Sequence, residues 1–77
     1  MSKYYTKTLA DLLYEELEED IIQGRYAVGE ELSEMRLFKE KGVSLGPVKE
    51  ALHRLARENL IYTDESGTHV RGVTRED

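Results

Sequence analysis

The chain has no cysteine among its 77 residues, two histidines and a single proline, Pro47. Without cysteine there is no disulfide staple, no thiolate zinc site and no cysteine nucleophile. Two histidines alone are a poor basis for a structural metal site, so neither metal nor cofactor is expected. No apolar run approaches the roughly 18 residues of a membrane span, and Met1-Ser2-Lys3-Tyr4-Tyr5 lacks the apolar stretch of a signal peptide. No membrane partner is expected, and a reducing cytoplasm is the expected compartment. Internal repeats and low-complexity tracts are also missing. The length excludes a second core, because so short a chain buries only about 60% of its unfolded surface.

What is present is charge, unevenly distributed. The net charge is −5, but residues 1–34 carry −6, residues 35–63 carry +3 and the remainder −2. Such a split can place one basic face on an acidic body. The plainer reading is that both sets solvate helix faces, and for Glu15, Glu16, Glu18, Glu19 and Asp20 that is the reading adopted.

Periodicity divides the chain into five elements. A first helix is predicted over 8–23, with Thr8 as N-cap and Asp11 reaching back as in a capping box. Leu9, Leu13, Leu17 and Ile21 recur at i+4, widened by Ala10, Tyr14 and Ile22. Gly24 supplies a left-handed stop. Tyr26 and Val28 are expected to anchor the following connection, and Leu32 to sit in a very short strand. A second helix is predicted over 33–41 with Ser33 as N-cap and Gly42 beyond its end. A third spans 44–58, capped by Ser44, with Pro47 in the first turn, where a missing N–H costs nothing. Asn59 follows as a left-handed cap. A β-hairpin is predicted over 60–71 with its turn at 64–67. Leu13, Leu17, Ile21, Leu37, Val48, Leu52, Leu55 and Val70 are the expected core.

Two short helices joined by the three-residue turn Gly42-Val43-Ser44 are a helix-turn-helix signature. The hairpin after them completes a mainly α fold with a small β-hairpin, a winged helix-turn-helix of three helices plus wing. Burying Val48, Ala51, Leu52 and Leu55 leaves the other face of the third helix free, and a helix fits a major groove. Lys49, His53, Arg54 and Arg57 are expected on that face, with Ser44 at the tip, where free N–H groups favour phosphate.

These residues resemble the N-terminal DNA-binding domain of GntR-type bacterial transcription regulators. The resemblance is carried by Leu9-Ala10-Asp11, Tyr14-Glu15-Glu16-Leu17, Asp20-Ile21-Ile22-Gln23-Gly24-Arg25-Tyr26, Leu32-Ser33-Glu34, Gly42-Val43-Ser44, Pro47-Val48-Lys49-Glu50-Ala51-Leu52 and Gly67-Thr68-His69-Val70-Arg71-Gly72. Leu32-Ser33-Glu34-Met35 is most similar to the FadR-like branch. The resemblance implies operator DNA as partner, a homodimer, and an effector ligand bound only through a missing C-terminal domain. It implies a 1–7 arm, an 8–72 DNA-binding domain and a 73–77 tail or linker. It also implies DNA contacts from Met35 and Arg36 at the start of helix two, from Ser44, Leu45, Gly46, Lys49 and His53 on the recognition helix, and from Gly67, Thr68 and His69 on the wing. The family usually has arginine where this chain has Leu45, commonly threonine where it has Gly46, and arginine where it has Lys49. Arginine at position 45 could read guanine through two hydrogen bonds, whereas leucine offers only methyl groups.

Catalytic readings find little support. His53 and His69 are 16 residues apart with no fixed acid–histidine arrangement, Ser33 and Ser44 are explained as caps, and Gly42…Gly46 lacks the Lys-Ser/Thr of a phosphate loop. No enzymatic role is expected. The alternative to DNA recognition is a winged helix that binds protein through the acidic first helix or an apolar surface around Leu45, Met35 and Phe38.

Overall fold

The computed structural model describes residues 6–72, in the order α1 (Leu9–Ile22), α2 (Glu34–Lys41), α3 (Leu45–Arg57), β1 (Ile61–Asp64) and β2 (Gly67–Val70). The expected tail at 73–77 and most of the expected arm at 1–7 lie outside the described residues.

Helix α1 starts where its local chemistry dictates. The Asp11 N–H donates to Thr8 Oγ1 (3.0 Å) and the Thr8 N–H to Asp11 Oδ2 (2.8 Å), a complete capping box. Helix α2 begins at Ser33, whose hydroxyl accepts from the Arg36 N–H (3.1 Å), and ends at Gly42 with φ +68°. That left-handed geometry suits glycine and lets the chain turn into α3 within three residues. Asn59, with φ +63°, closes α3 in the same way.

All eight expected core residues are buried, joined by Ala10, Tyr26, Leu32, Ala51 and Ile61. Helix α3 packs against α1 and α2, with its C-terminal half against β1. Burying a leucine-sized side chain contributes about 1.5–3 kcal/mol, so a core of this size must be nearly void-free to hold the domain.

The hairpin differs from expectation in the length of its turn. Its pairs are Ile61↔Val70, Tyr62↔His69, Thr63↔Thr68 and Asp64↔Gly67, so only Glu65 and Ser66 turn. The Ser66 N–H (2.9 Å) and Oγ–H (2.7 Å) both donate to Asp64 Oδ1, tightening the turn and drawing Asp64 and Gly67 into the ladder. Gly67 adopts φ +125°, outside the range of ordinary L-residues. The expected short strand at Leu32 is a single bridge one residue earlier, Glu31↔His69, flanked by Leu32 N–H to Thr68 carbonyl (2.8 Å) and Val70 N–H to Glu30 carbonyl (2.9 Å). The segment before α2 therefore covers the second edge of β2.

Three expectations are corrected. Val28 is not a core anchor: it is 76% exposed and only caps Gly72 with one methyl. Leu9 and Ile22 lie on the outer margins of the α1 stripe and are half exposed. The acidic face of α1 is not simply solvated. Asp11 pairs with Arg54 of α3 (2.6 Å), and Glu16 and Asp20 pair with Lys41 of α2 (2.7 and 3.6 Å).

Candidate nucleic-acid interface

The expected contact residues fall on three neighbouring elements: the start of α2, the first half of α3 and the wing. Between them runs a shallow groove lined by Glu34, Lys49, Leu52, His53, Thr63 and Thr68. Lys49 projects into it with its side chain 64% exposed, 3.3 Å from Glu34 Oε1. His53 lies one turn further along the same exposed face.

The tip of α3 is built unlike the other two helix starts. Ser44 occupies the N-cap position with extended backbone, yet its hydroxyl makes no capping hydrogen bond, contrary to expectation. An N-cap side chain accepts from the N–H of the second or third helical residue. Here the third is Pro47, which has no N–H. The Ser44 hydroxyl and the first-turn N–H groups of Leu45 and Gly46 therefore face outward without an intrahelical partner. Leu45 itself is half-buried, so the apolar surface expected around it is reduced to Met35 and Phe38, 50% and 44% exposed.

Arg36, by contrast, is committed inward. Its guanidinium donates to Glu40 Oε2 (2.8 Å) and the Glu31 carbonyl (2.7 Å), and pairs with Glu30 Oε2 (2.8 Å). It also lies 5.2 Å from the Tyr26 ring centroid. The bonds to Glu40 and Glu30 hold its proton still more tightly than usual. Glu30 is correspondingly more acidic than a free carboxylate, first through the Ala27 N–H and then through Arg36. Because Glu30 also accepts from Val70 through its carbonyl, Arg36 fastens α2 to the base of the wing.

Arg54 is not on the free face where it was expected. It pairs with Asp11 and lies 4.2 Å from the Tyr14 ring centroid, locking α3 to α1. The Asp11 carboxyl is held below its ordinary range by the Thr8 N–H and then by Arg54. Lys39 and Arg57 have no ion pair among the described residues.

On the wing, the Thr63 and Thr68 hydroxyls share a hydrogen bond (3.1 Å) across the ladder. His69 Nδ1–H donates to the Gly29 carbonyl (3.2 Å), and Nε2 lies 2.8 Å from Ser66 Oγ, whose hydroxyl proton goes to Asp64. Its ring sits 5.6 Å from that of Tyr62. His69 thus fixes the angle of the wing, while Gly67 and Thr68 form the surface beside the groove.

Comparisons with known proteins agree with this geometry. The family model of bacterial regulatory proteins, gntR family, matches residues 9–70. The chain is 32% identical over 65 residues to the HTH-type transcriptional regulator YdhC of Bacillus subtilis. It is 35% identical over 72 residues to the HTH-type transcriptional regulator BphR of Paraburkholderia xenovorans. These alignments cover 83% and 92% of this chain, which spans 29% of the length of each relative. A crystal structure described as that of a GntR-family transcriptional regulator superposes with a TM-score of 0.75 at 30% identity, over 90% of this chain and 29% of that one. The AraR DNA-binding domain in complex with operator ORX1 gives a TM-score of 0.74 at 25% identity, over 91% of this chain and 86% of that one.

Proposed function

We propose, from the premise that the chain belongs to the gntR family of bacterial regulatory proteins, that it recognises double-stranded operator DNA with the exposed face of α3 and with the wing. The observation that carries the reading is the groove itself. Lys49 and His53 project from α3 between the first turn of α2 and the hairpin, on the side of α3 that no other element covers. Thr68 lines it from the wing, and Met35, Ser44, Leu45, Gly46 and Gly67, on the same three elements, complete the proposed contact set. The tip of α3, with its idle hydroxyl and two free N–H groups, suits a phosphate oxygen. Arg36 and His69 serve this surface by positioning the elements that bear it.

Homodimerisation, effector sensing through a further domain and residence in the bacterial cytoplasm belong to the same proposal. So does the absence of catalysis. The relatives are transcription regulators. Membership of the FadR-like branch rests on Leu32-Ser33-Glu34-Met35 alone. No helix among the described residues is long and apolar enough to cross a membrane.

The test is retention of the 77-residue chain on random-sequence duplex DNA at two salt concentrations, read by fluorescence anisotropy. Affinity falls with a log–log slope of about −0.9 for each phosphate neutralised. No binding at low salt would overturn the reading.

A further inference from the structure

We infer that Glu34 and Lys49 act together as a reader of one G·C base pair, a role resting on the DNA-binding reading above. Neither of the first two residues of α3 can recognise guanine: Leu45 offers methyl groups and Gly46 no side chain. The groove nevertheless holds one donor and one acceptor side by side. Lys49 Nζ lies 3.3 Å from Glu34 Oε1, with side chains 64% and 44% exposed. They come from different helices, and both line the groove between α2, α3 and the hairpin.

The edge of a G·C pair presents the complementary pattern. Guanine offers O6 and N7 acceptors and cytosine the N4 amino donor; lysine suits the first and glutamate the second. O6 and N4 are themselves joined by an N–H···O hydrogen bond, about 2.9 Å long. The spacing of the ion pair is therefore close to that of the two base atoms it would face. An A·T pair with adenine facing Lys49 presents a donor and an acceptor in the reverse order along this edge, so that Lys49 would meet an amino group and Glu34 a carbonyl oxygen, both repulsive. With thymine facing Lys49 the order is kept, but lysine then meets one acceptor beside a methyl group where guanine offers two acceptors.

The pair also has a suitable resting state. An exposed ion pair is weak, so it separates at little cost when base atoms replace it. On mismatched DNA the carboxylate has no donor and stands close to backbone phosphates, within the Debye length of about 8–10 Å. Glu34 thus disfavours wrong sequences as well as favouring the right one, as specificity requires. Ser33, which caps α2, and the favourable placement of an acid in the first turn of a helix hold Glu34 in place without a further partner.

The experiment is selection from a pool of random 20-base-pair duplexes by the 77-residue chain, followed by sequencing, for wild type, Glu34→Ala, Glu34→Gln and Lys49→Ala. Wild type is expected to enrich G·C at one position per half-site by on the order of tenfold. Glu34→Ala loses that preference at that position only, while its total retention of the pool rises. Glu34→Gln, whose amide can pair with adenine, admits A·T there; a purely electrostatic role would not change base preference. Lys49→Ala loses both the preference and overall affinity. The inference is overturned if Glu34→Ala leaves the selected motif unchanged, or if its retention rises equally for every sequence. It is also overturned if wild type retains duplexes without enriching any base, which would leave DNA binding itself standing. No retention by wild type would overturn both readings. Circular dichroism of each variant identifies any that fails to fold, and the Gln variant, which keeps size and polarity, then carries the test.

Discussion

The two halves of α3 are built on opposite principles. From Leu52 onward the helix is fastened: Leu52 and Leu55 are buried, and Arg54 is held by Asp11 and Tyr14. From Ser44 to Lys49 only Val48 is fully buried, and the rest is loosely held. Its cap hydroxyl is idle, Gly46 has open space around its Cα, Pro47 removes a donor, and Lys49 touches only a half-exposed glutamate. One helix therefore separates holding the fold from meeting a ligand. Substitutions in its two halves should separate stability from binding.

The largest effect is expected at the fastened end. Leu52→Ala should cost about 2–5 kcal/mol, a large fraction of the stability of so small a domain, read as a fall in the urea midpoint. An unchanged midpoint would break the comparison outright. At the loose end, Leu45→Arg should leave the midpoint nearly unchanged and add a guanine preference worth about 1–3 kcal/mol at one position. Selectivity between matched and scrambled duplexes at one salt concentration is the measure; an equal gain on both would place residue 45 near phosphates.

Gly46→Ala sharpens the contrast from the other side. Gly46 has no positive φ, and an added Cβ meets nothing within 4 Å. The substitution should stabilise the helix by about 0.5–1 kcal/mol, seen as a higher thermal midpoint. A destabilised variant would show that the tip is already under constraint.

The smallest effect concerns the ion pair at the fastened end. Because the Asp11 carboxyl titrates below its ordinary value of 3.8 in the folded state, its contribution is whole at neutral pH. It is lost as pH falls from about that value through the lower folded one. Asp11→Asn should therefore lower the thermal midpoint at pH 7 and flatten its decline in acid. Parallel acid limbs for the two proteins would remove Asp11 from the account.

What the sequence made legible was local. Thr8 with Asp11, Ser33, Gly42 and Asn59 end their helices through contacts a few residues long, and the i+4 spacing of Leu13, Leu17 and Ile21 places the core face directly. What escaped depends on distant partners. Asp11 and Arg54 are 43 positions apart, and nothing in the pattern of either helix announces their meeting. The inward pairing of Arg36 escaped because Glu30 and Glu31 belong to a loop whose path periodicity does not predict. The hairpin turn is shorter than expected because Ser66 folds back on Asp64, a side-chain effect invisible to period-two counting. Ser44 illustrates a local failure: the cap residue was recognised, but Pro47 had already removed one donor it would use. At the groove, Glu34 was read only as a helix-start residue, and its opposition to Lys49 emerged from the packing of α2 against α3.

The inward commitment of Arg36, Lys41 and Arg54 has a consequence for binding. Non-specific affinity for DNA comes almost entirely from cations that meet phosphates. A domain that turns three of its cations toward its own carboxylates has fewer to offer the phosphates of arbitrary sequence, and a lower non-specific affinity is expected of it. In a genome offering about a million or more competing sites, weaker binding at wrong addresses leaves more of the protein free to search. The same pairs that fasten the helices together thus withhold three cations from arbitrary sequence.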